Sequence, residues 1–148
     1  MTRPTNPTMH VRTAALLLAL AIAAHDAGAQ STADTGGLVK PTTVLERRVA
    51  EMPRSDSVDV RVLTASFAPG DRTVLHTHRY PVTVYVLEGT FTLEMAGRTP
   101  VVVRAGEAYV EPPRVRMTGY NRSTTERTRV VVFYTSEPGA PFLDLVSP

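Results

Sequence analysis

Two histidines separated by one residue, His76-Thr77-His78, are the side chains of this sequence best suited to chemistry. Along an extended strand the side chains alternate between faces, so residues two apart point the same way, with Cα atoms about 7 Å apart. Such a pair presents two imidazoles on one side of one sheet and suits a metal ion or an anion. The other two histidines, His10 and His25, fall in an N-terminal segment that reads as removable, which leaves this pair to the mature chain. Cysteine is absent, so no disulfide, thiolate metal site or cysteine nucleophile is available. With both histidines committed to one place, no Ser-His-Asp arrangement can be assembled.

The elements around the pair read as strands. After Pro53 the chain settles into short runs rich in Val, Thr, Tyr and Phe, punctuated by Gly and Pro at intervals that leave no room for crossover helices. Strands are expected at 58–67, 82–87, 90–95, 101–104, 108–111, 115–121 and 129–135. The turns fall at Pro69-Gly70-Asp71, Glu88-Gly89, Ala96-Gly97-Arg98 and Ala105-Gly106-Glu107, and Pro112-Pro113 stops a strand. The fold class is all-β, an antiparallel sandwich or barrel. Residues 42–49 read as a short strand or a single helical turn closed by Pro53. The tail from Glu137 carries two prolines before Phe142 that exclude a central strand, and it is expected to pack along the barrel exterior or to join a subunit contact.

The N-terminus reads differently. Arg3 and Arg12 precede an apolar run from Ala14 to Ala24 that is too short to span a bilayer, and Ala27 and Ala29 supply the small-x-small pattern of a signal peptidase site. Residues 1–29 are therefore expected to be a secretory signal, cleaved after Ala29, with the product periplasmic or secreted and no membrane span in it. Residues 30–55 form a polar lead-in, 56–136 a barrel and 137–148 a tail. The whole chain has 16 basic against 14 acidic residues, and removing the signal leaves 14 against 13. A near-neutral surface without a basic run gives no footing for nucleic acid.

This pattern resembles the cupin superfamily, in particular its small single-domain members, over about residues 56–136. The family's first motif is a glycine, five residues, His-x-His, three or four residues, Glu, six residues and a glycine, and Gly70, His76, His78 and Gly89 fall in register with it. Its second motif is matched by Gly106, Pro112 and Asn121. The resemblance implies a double-stranded β-helix, or jelly roll, and a homodimer. It also implies a metal held by His-His-Glu-His, from which this chain departs. Val82 stands at the glutamate position, Met117 at the third histidine and Arg114 at the second motif's inner glycine.

Several functions stay open on this reading. The first is binding of a small molecule in a pocket lined by His76, His78, Val82 and Met117, with a weakly held divalent transition metal. A second is a metal-dependent enzyme of oxygenase or isomerase type, in which Glu88, Glu94 or Glu111 replaces the missing carboxylate. A third is a copper-binding protein using His76, His78 and the soft thioether of Met117, which otherwise packs into the space of the missing histidine. Tyr85, Arg114, Arg116 and Met117 are the candidate ligand contacts. The two arginines share a face if the strand is regular and would clamp a carboxylate or phosphate, unless they lie on a solvated outer face. Tyr85 and Tyr109 read as packing residues with a hydrogen-bonded hydroxyl rather than catalytic acids.

Overall fold

In a computed structural model, residue 37 and residues 39–147 are described, and nine strands follow one another along the chain without an intervening helix. They are β1 (Asp59–Phe67), β2 (His76–Thr77), β3 (Val82–Glu88), β4 (Thr90–Met95), β5 (Val101–Arg104), β6 (Ala108–Glu111), β7 (Met117–Tyr120), β8 (Thr128–Ser136) and β9 (Asp144–Leu145). Seven of these correspond to the expected runs. The signal-peptide expectation for residues 1–29 lies outside the described residues. No helix among the described residues is long and apolar enough to cross a membrane.

The strands form two antiparallel sheets, a four-stranded one in the order β1-β8-β3-β6 and a five-stranded one in the order β5-β4-β7-β2-β9. This is the all-β jelly-roll arrangement. Alternation decides which side chains meet between the sheets: in β3, Val82, Val84 and Val86 are buried while Thr83 and Tyr85 turn outward. Phe67, Val84, Val86 and Val130 of the first sheet meet Phe91, Leu93, Met95, Val103 and Met117 of the second in one apolar cluster. Phe67 and Phe91 face each other across the gap at 5.7 Å between ring centroids.

Gly89 alone links β3 to β4, and so carries the chain from one sheet to the other at φ +74°. A Cβ there would collide with the carbonyl oxygen of Arg127 and approach Thr128 Oγ1 to 2.9 Å. Both the left-handed backbone and the close approach require glycine.

Three local expectations need correction. Residues 42–49 form neither strand nor helical turn and run exposed along the surface. The strand expected at 115–121 is shorter, because Arg114 takes φ +57° and the regular pairing begins only at Met117. The tail is not merely exterior. Its Asp144–Leu145 pairs with His76–Thr77 as the edge strand of the second sheet, an edge being where a proline-flanked segment can pair. Phe142 and Leu143, just before it, enter the interior.

Candidate metal and ligand site

The two histidines converge. His76 and His78 are both buried, with ring centroids 4.7 Å apart and their Nε2 atoms 3.1 Å apart. Each Nδ1 faces a backbone carbonyl, that of Val74 at 2.8 Å from His76 and that of Phe142 at 2.7 Å from His78. A carbonyl only accepts, so both Nδ1 atoms carry hydrogen and both Nε2 atoms are left to turn lone pairs toward the interior. Burial, ahead of the opposing contact with the Val74 carbonyl, holds the His76 pKa below its ordinary 6.5 and keeps the ring neutral.

The carboxylate comes from an adjacent strand. Glu111, at the end of β6, is buried, and its Oε2 lies 3.2 Å from His78 Nε2. Val82 of β3 is directly opposite Glu111 in the antiparallel register, and residues opposite each other share a face. The position from which the first motif ordinarily sends a carboxylate is thus apolar, and the neighbouring strand sends one from the same face. Glu88 and Glu94, the other two candidates, are on the surface, where Glu94 pairs with Arg122 and Glu88 lies 4.0 Å from Arg129.

His76, His78 and Glu111 therefore bring three acceptor atoms together around His78 Nε2. Such a set is stable only with an electrophile among them. Either a proton is shared among the three atoms, or a cation is. By donor type alone, two imidazoles and one carboxylate would suit a divalent transition metal. As the side chains stand, no group of three or more His, Cys, Asp or Glu among the described residues is placed to hold a metal ion, since the three atoms form a file rather than a cradle. No buried side-chain nitrogen or oxygen among the described residues lacks a hydrogen-bond partner.

Beside the cluster, and sharing His76, His78 and Glu111 as part of its wall, lies a cavity of about 90 Å³. Phe67, Val84, Phe91, Leu93, Val130 and Phe142 supply most of the remaining surface. Gly119 also lines it, because a Cβ there would collide with the Phe91 ring. The tail closes this side: Phe142 packs against His78 at 4.9 Å and edge-on to Tyr134 at 5.5 Å between centroids. Asp144 holds the tail down through two bonds from Arg79, at 2.9 and 3.0 Å, and the same guanidinium keeps the Asp144 carboxyl below its usual pKa.

The other candidates lie elsewhere. Tyr85 alternates with buried Val84 and Val86 and so faces away from the cavity. Arg114 is exposed and paired with Glu51, and Arg116 is exposed with its guanidinium toward the Ser147 carbonyl at 3.3 Å. The irregular backbone at Arg114 breaks the alternation that would have placed the two on one face over the pocket. Met117 is directly opposite His76 in register but packs into the apolar cluster, and neither it nor Val82 lines the cavity. Asn121, matched to the second motif, is structural: its amide nitrogen donates to the carbonyls of Phe67, Ala68 and Glu126, at 3.3, 3.0 and 2.8 Å. Phe142 was not foreseen, and no local pattern in the sequence marks it.

Comparison with known proteins agrees with this architecture. The cupin domain family pattern matches residues 63–134. Residues 63–134 are a cupin domain. Among curated relatives of this cupin, a putative germin-like protein 3-4 of Oryza sativa subsp. japonica is 36% identical over 123 residues, covering 75% of this chain and 54% of that protein. Oxalate oxidase 2 of Hordeum vulgare is 30% identical over 112 residues, covering 70% of this chain and 50% of that protein. The cupin chain thus spans about half the length of these relatives. A double-stranded β-helix protein of Klebsiella pneumoniae matches in structure with a TM-score of 0.51 at 19% identity, over 70% of this chain and 100% of that one, a likeness of fold.

Proposed function

We propose that this cupin binds one divalent transition metal through His76, His78 and Glu111 and receives a small molecule in the adjoining cavity. One observation carries the reading: with both Nδ1 atoms tied to carbonyls, two imidazole lone pairs and a carboxylate oxygen are buried within contact of one another. When bound, the ion would act as a Lewis acid toward an oxygen or other donor of the ligand. The chain's own residues do the rest. The Val74 and Phe142 carbonyls orient the rings, Glu111 supplies negative charge, and the apolar walls exclude water.

Metal analysis of protein purified without an affinity tag, together with Co(II) and Zn(II) titration, tests this. Near one equivalent of metal, lost in His76→Ala, His78→Ala and Glu111→Ala, is the expected result. An empty wild-type site, or undiminished binding by the variants, would overturn it. Copper is disfavoured as the resident ion because Met117 is committed to the apolar cluster.

Metal-dependent catalysis of oxygenase or isomerase type is a second reading, favoured by the two-histidine, one-carboxylate donor set, which leaves coordination positions for reactants. Export is proposed on the sequence pattern of residues 1–29 alone, and a secreted or periplasmic product beginning at Gln30 is its check by mass spectrometry.

A further inference from the structure

The wall of the cavity between the sheets is thin where its lining residues also reach the surface. Ala65, Thr73, Val132, Phe142 and Leu143 all line it and are only half-buried. The first three are locked in place. Ala65 of β1 and Val132 of β8 lie within nine consecutive cross-strand pairs. Thr73 is tied to Gly119 in both directions, its amide donating to that carbonyl at 2.8 Å and its Oγ1 accepting from that amide at 2.9 Å. Phe142 and Leu143 are held differently.

Up to Pro141 the tail is anchored to the first sheet. The Gly139 amide donates to Asp59 Oδ2 at 3.0 Å, Arg61 to the Ala140 carbonyl at 2.8 Å and the Tyr134 hydroxyl to the Pro141 carbonyl at 3.3 Å. Beyond Pro141 the holds are few and mostly superficial. β9 gives two residue pairs with β2, Leu145 is 73% exposed, and the Val146 amide reaches the Leu75 carbonyl at 3.2 Å. The Arg79–Asp144 ion pair is exposed, and the inward hold is the bond from His78 Nδ1 to the Phe142 carbonyl. Exposed ion pairs and solvent-accessible hydrogen bonds exchange for water at little net cost, so a segment held by them opens well below the free energy of global unfolding.

We propose that residues 142–147 are a strap that swings out from Pro141, admits a small molecule to the cavity and closes over it, with Asp144 as its latch. This role rests on the cavity being the place of ligand binding, as proposed above, and needs no metal. Closing also orders the site. It returns the Phe142 carbonyl to His78 Nδ1 and so fixes that ring with Nε2 toward the interior. The buried histidine pair is complete only in the closed form.

The test uses the full chain held in chelator, without ligand. Hydrogen-exchange mass spectrometry compares the tail with β3. Diethyl pyrocarbonate, which modifies neutral imidazole nitrogens, reports access to the two histidines through the tryptic peptide Thr73–Arg79. The tail is expected to exchange about tenfold or more faster than β3 in the absence of denaturant. Asp144→Asn should speed modification of the peptide about two- to fivefold, the range set by an exposed ion pair. Added salt should speed it in the wild type but not in this variant. Thr77 and Asp144 are directly opposite in register, and the Cα atoms of such antiparallel pairs are about 4.5–5.5 Å apart, within the span of a disulfide. The chain has no cysteine of its own, so Thr77→Cys with Asp144→Cys pins the strap once oxidised. Modification should then slow about tenfold or more relative to the wild type.

Equal exchange of the tail and β3 would mean that the tail opens only with the whole fold, and would overturn the strap. Modification of the oxidised double variant at the wild-type rate would place entry elsewhere and overturn it too. If the double variant does not fold, Asp144→Asn and the salt dependence carry the test, and no change in either counts against the strap. A chain that binds no Co(II) leaves these outcomes untouched, and a tail that stays fixed leaves the metal analysis untouched, so the two proposals fail separately.

Discussion

Glu111 is the residue on which the site turns. Its exchange for glutamine keeps size and hydrogen bonding but removes the charge, and loss of even an outer partner of a metal ligand costs about 10- to 100-fold in affinity. We therefore expect Glu111→Gln to weaken Co(II) binding by about 100-fold or more, measured by competition with a chelator, and a smaller effect would place Glu111 outside the donor set. His76 supplies a second check, in metal-free protein held in chelator. Its folded-state pKa lies below the unfolded 6.5, so the unfolded chain binds the proton first. The stability tied to the neutral ring is whole above pH 6.5 and is lost as pH falls from there through the folded pKa. Urea midpoints should drop across that window in the wild type, and more shallowly in His76→Gln; parallel slopes would contradict a buried neutral ring. At this scale the sequence was informative where the relation is local. His76 and His78 could be paired from their spacing alone. Glu111 could be named only as one of three carboxylates, because its place depends on the register of β6 against β3, set by contacts far apart in the chain. Arg114 and Arg116 misled because alternation was assumed through a residue at φ +57°.

Two of the elements around the site are inconspicuous in the sequence. β2 and β9 have two residues each, too short for any periodicity to register, and they pair only with β7 and with each other. The longer strands showed themselves through their alternation, as in β3, where each second residue is a buried valine. The tail could not be assigned so easily. Its prolines ruled out a central strand, as the structure agrees, but nothing local shows that Phe142 turns inward over His78. Gly89 offers the sharpest prediction at this scale. Gly89→Ala combines a strained left-handed alanine, at about 1–3 kcal/mol, with collision against the Arg127 carbonyl in a link one residue long. A loss of more than about 2 kcal/mol in urea unfolding is expected. By contrast Gly70→Ala, at φ +82° with open space around its Cβ, should lose only the backbone contribution. Equal losses in the two would mean that the Arg127 contact is readily relieved.

For the whole molecule, the two sheets close their inner faces on each other but leave the outer face of the first sheet partly apolar. Val60 and Val62 are 69% and 61% exposed on the edge strand β1, and Phe133 of β8, directly opposite Val62, is 46% exposed. Cross-strand neighbours on one face form a continuous patch, and continuous exposed patches of this kind mark contact surfaces. The homodimer expected from the family resemblance is accordingly proposed to form through this face, one copy's Val62 and Phe133 against the same residues of the other about a two-fold axis. Val62→Lys then buries a charge without a partner in each half of the interface. At about 3 kcal/mol, this should weaken dimerisation by about a hundredfold or more, read by sedimentation equilibrium. The variant should leave Co(II) binding intact, because Val62 lies on the first sheet with its side chain toward solvent, whereas His76 lies on the second sheet and His78 just beyond its strand, both buried. A wild type that sediments as a monomer at all concentrations would refute the dimer, and one that dimerises unaffected by Val62→Lys would move the contact to another face.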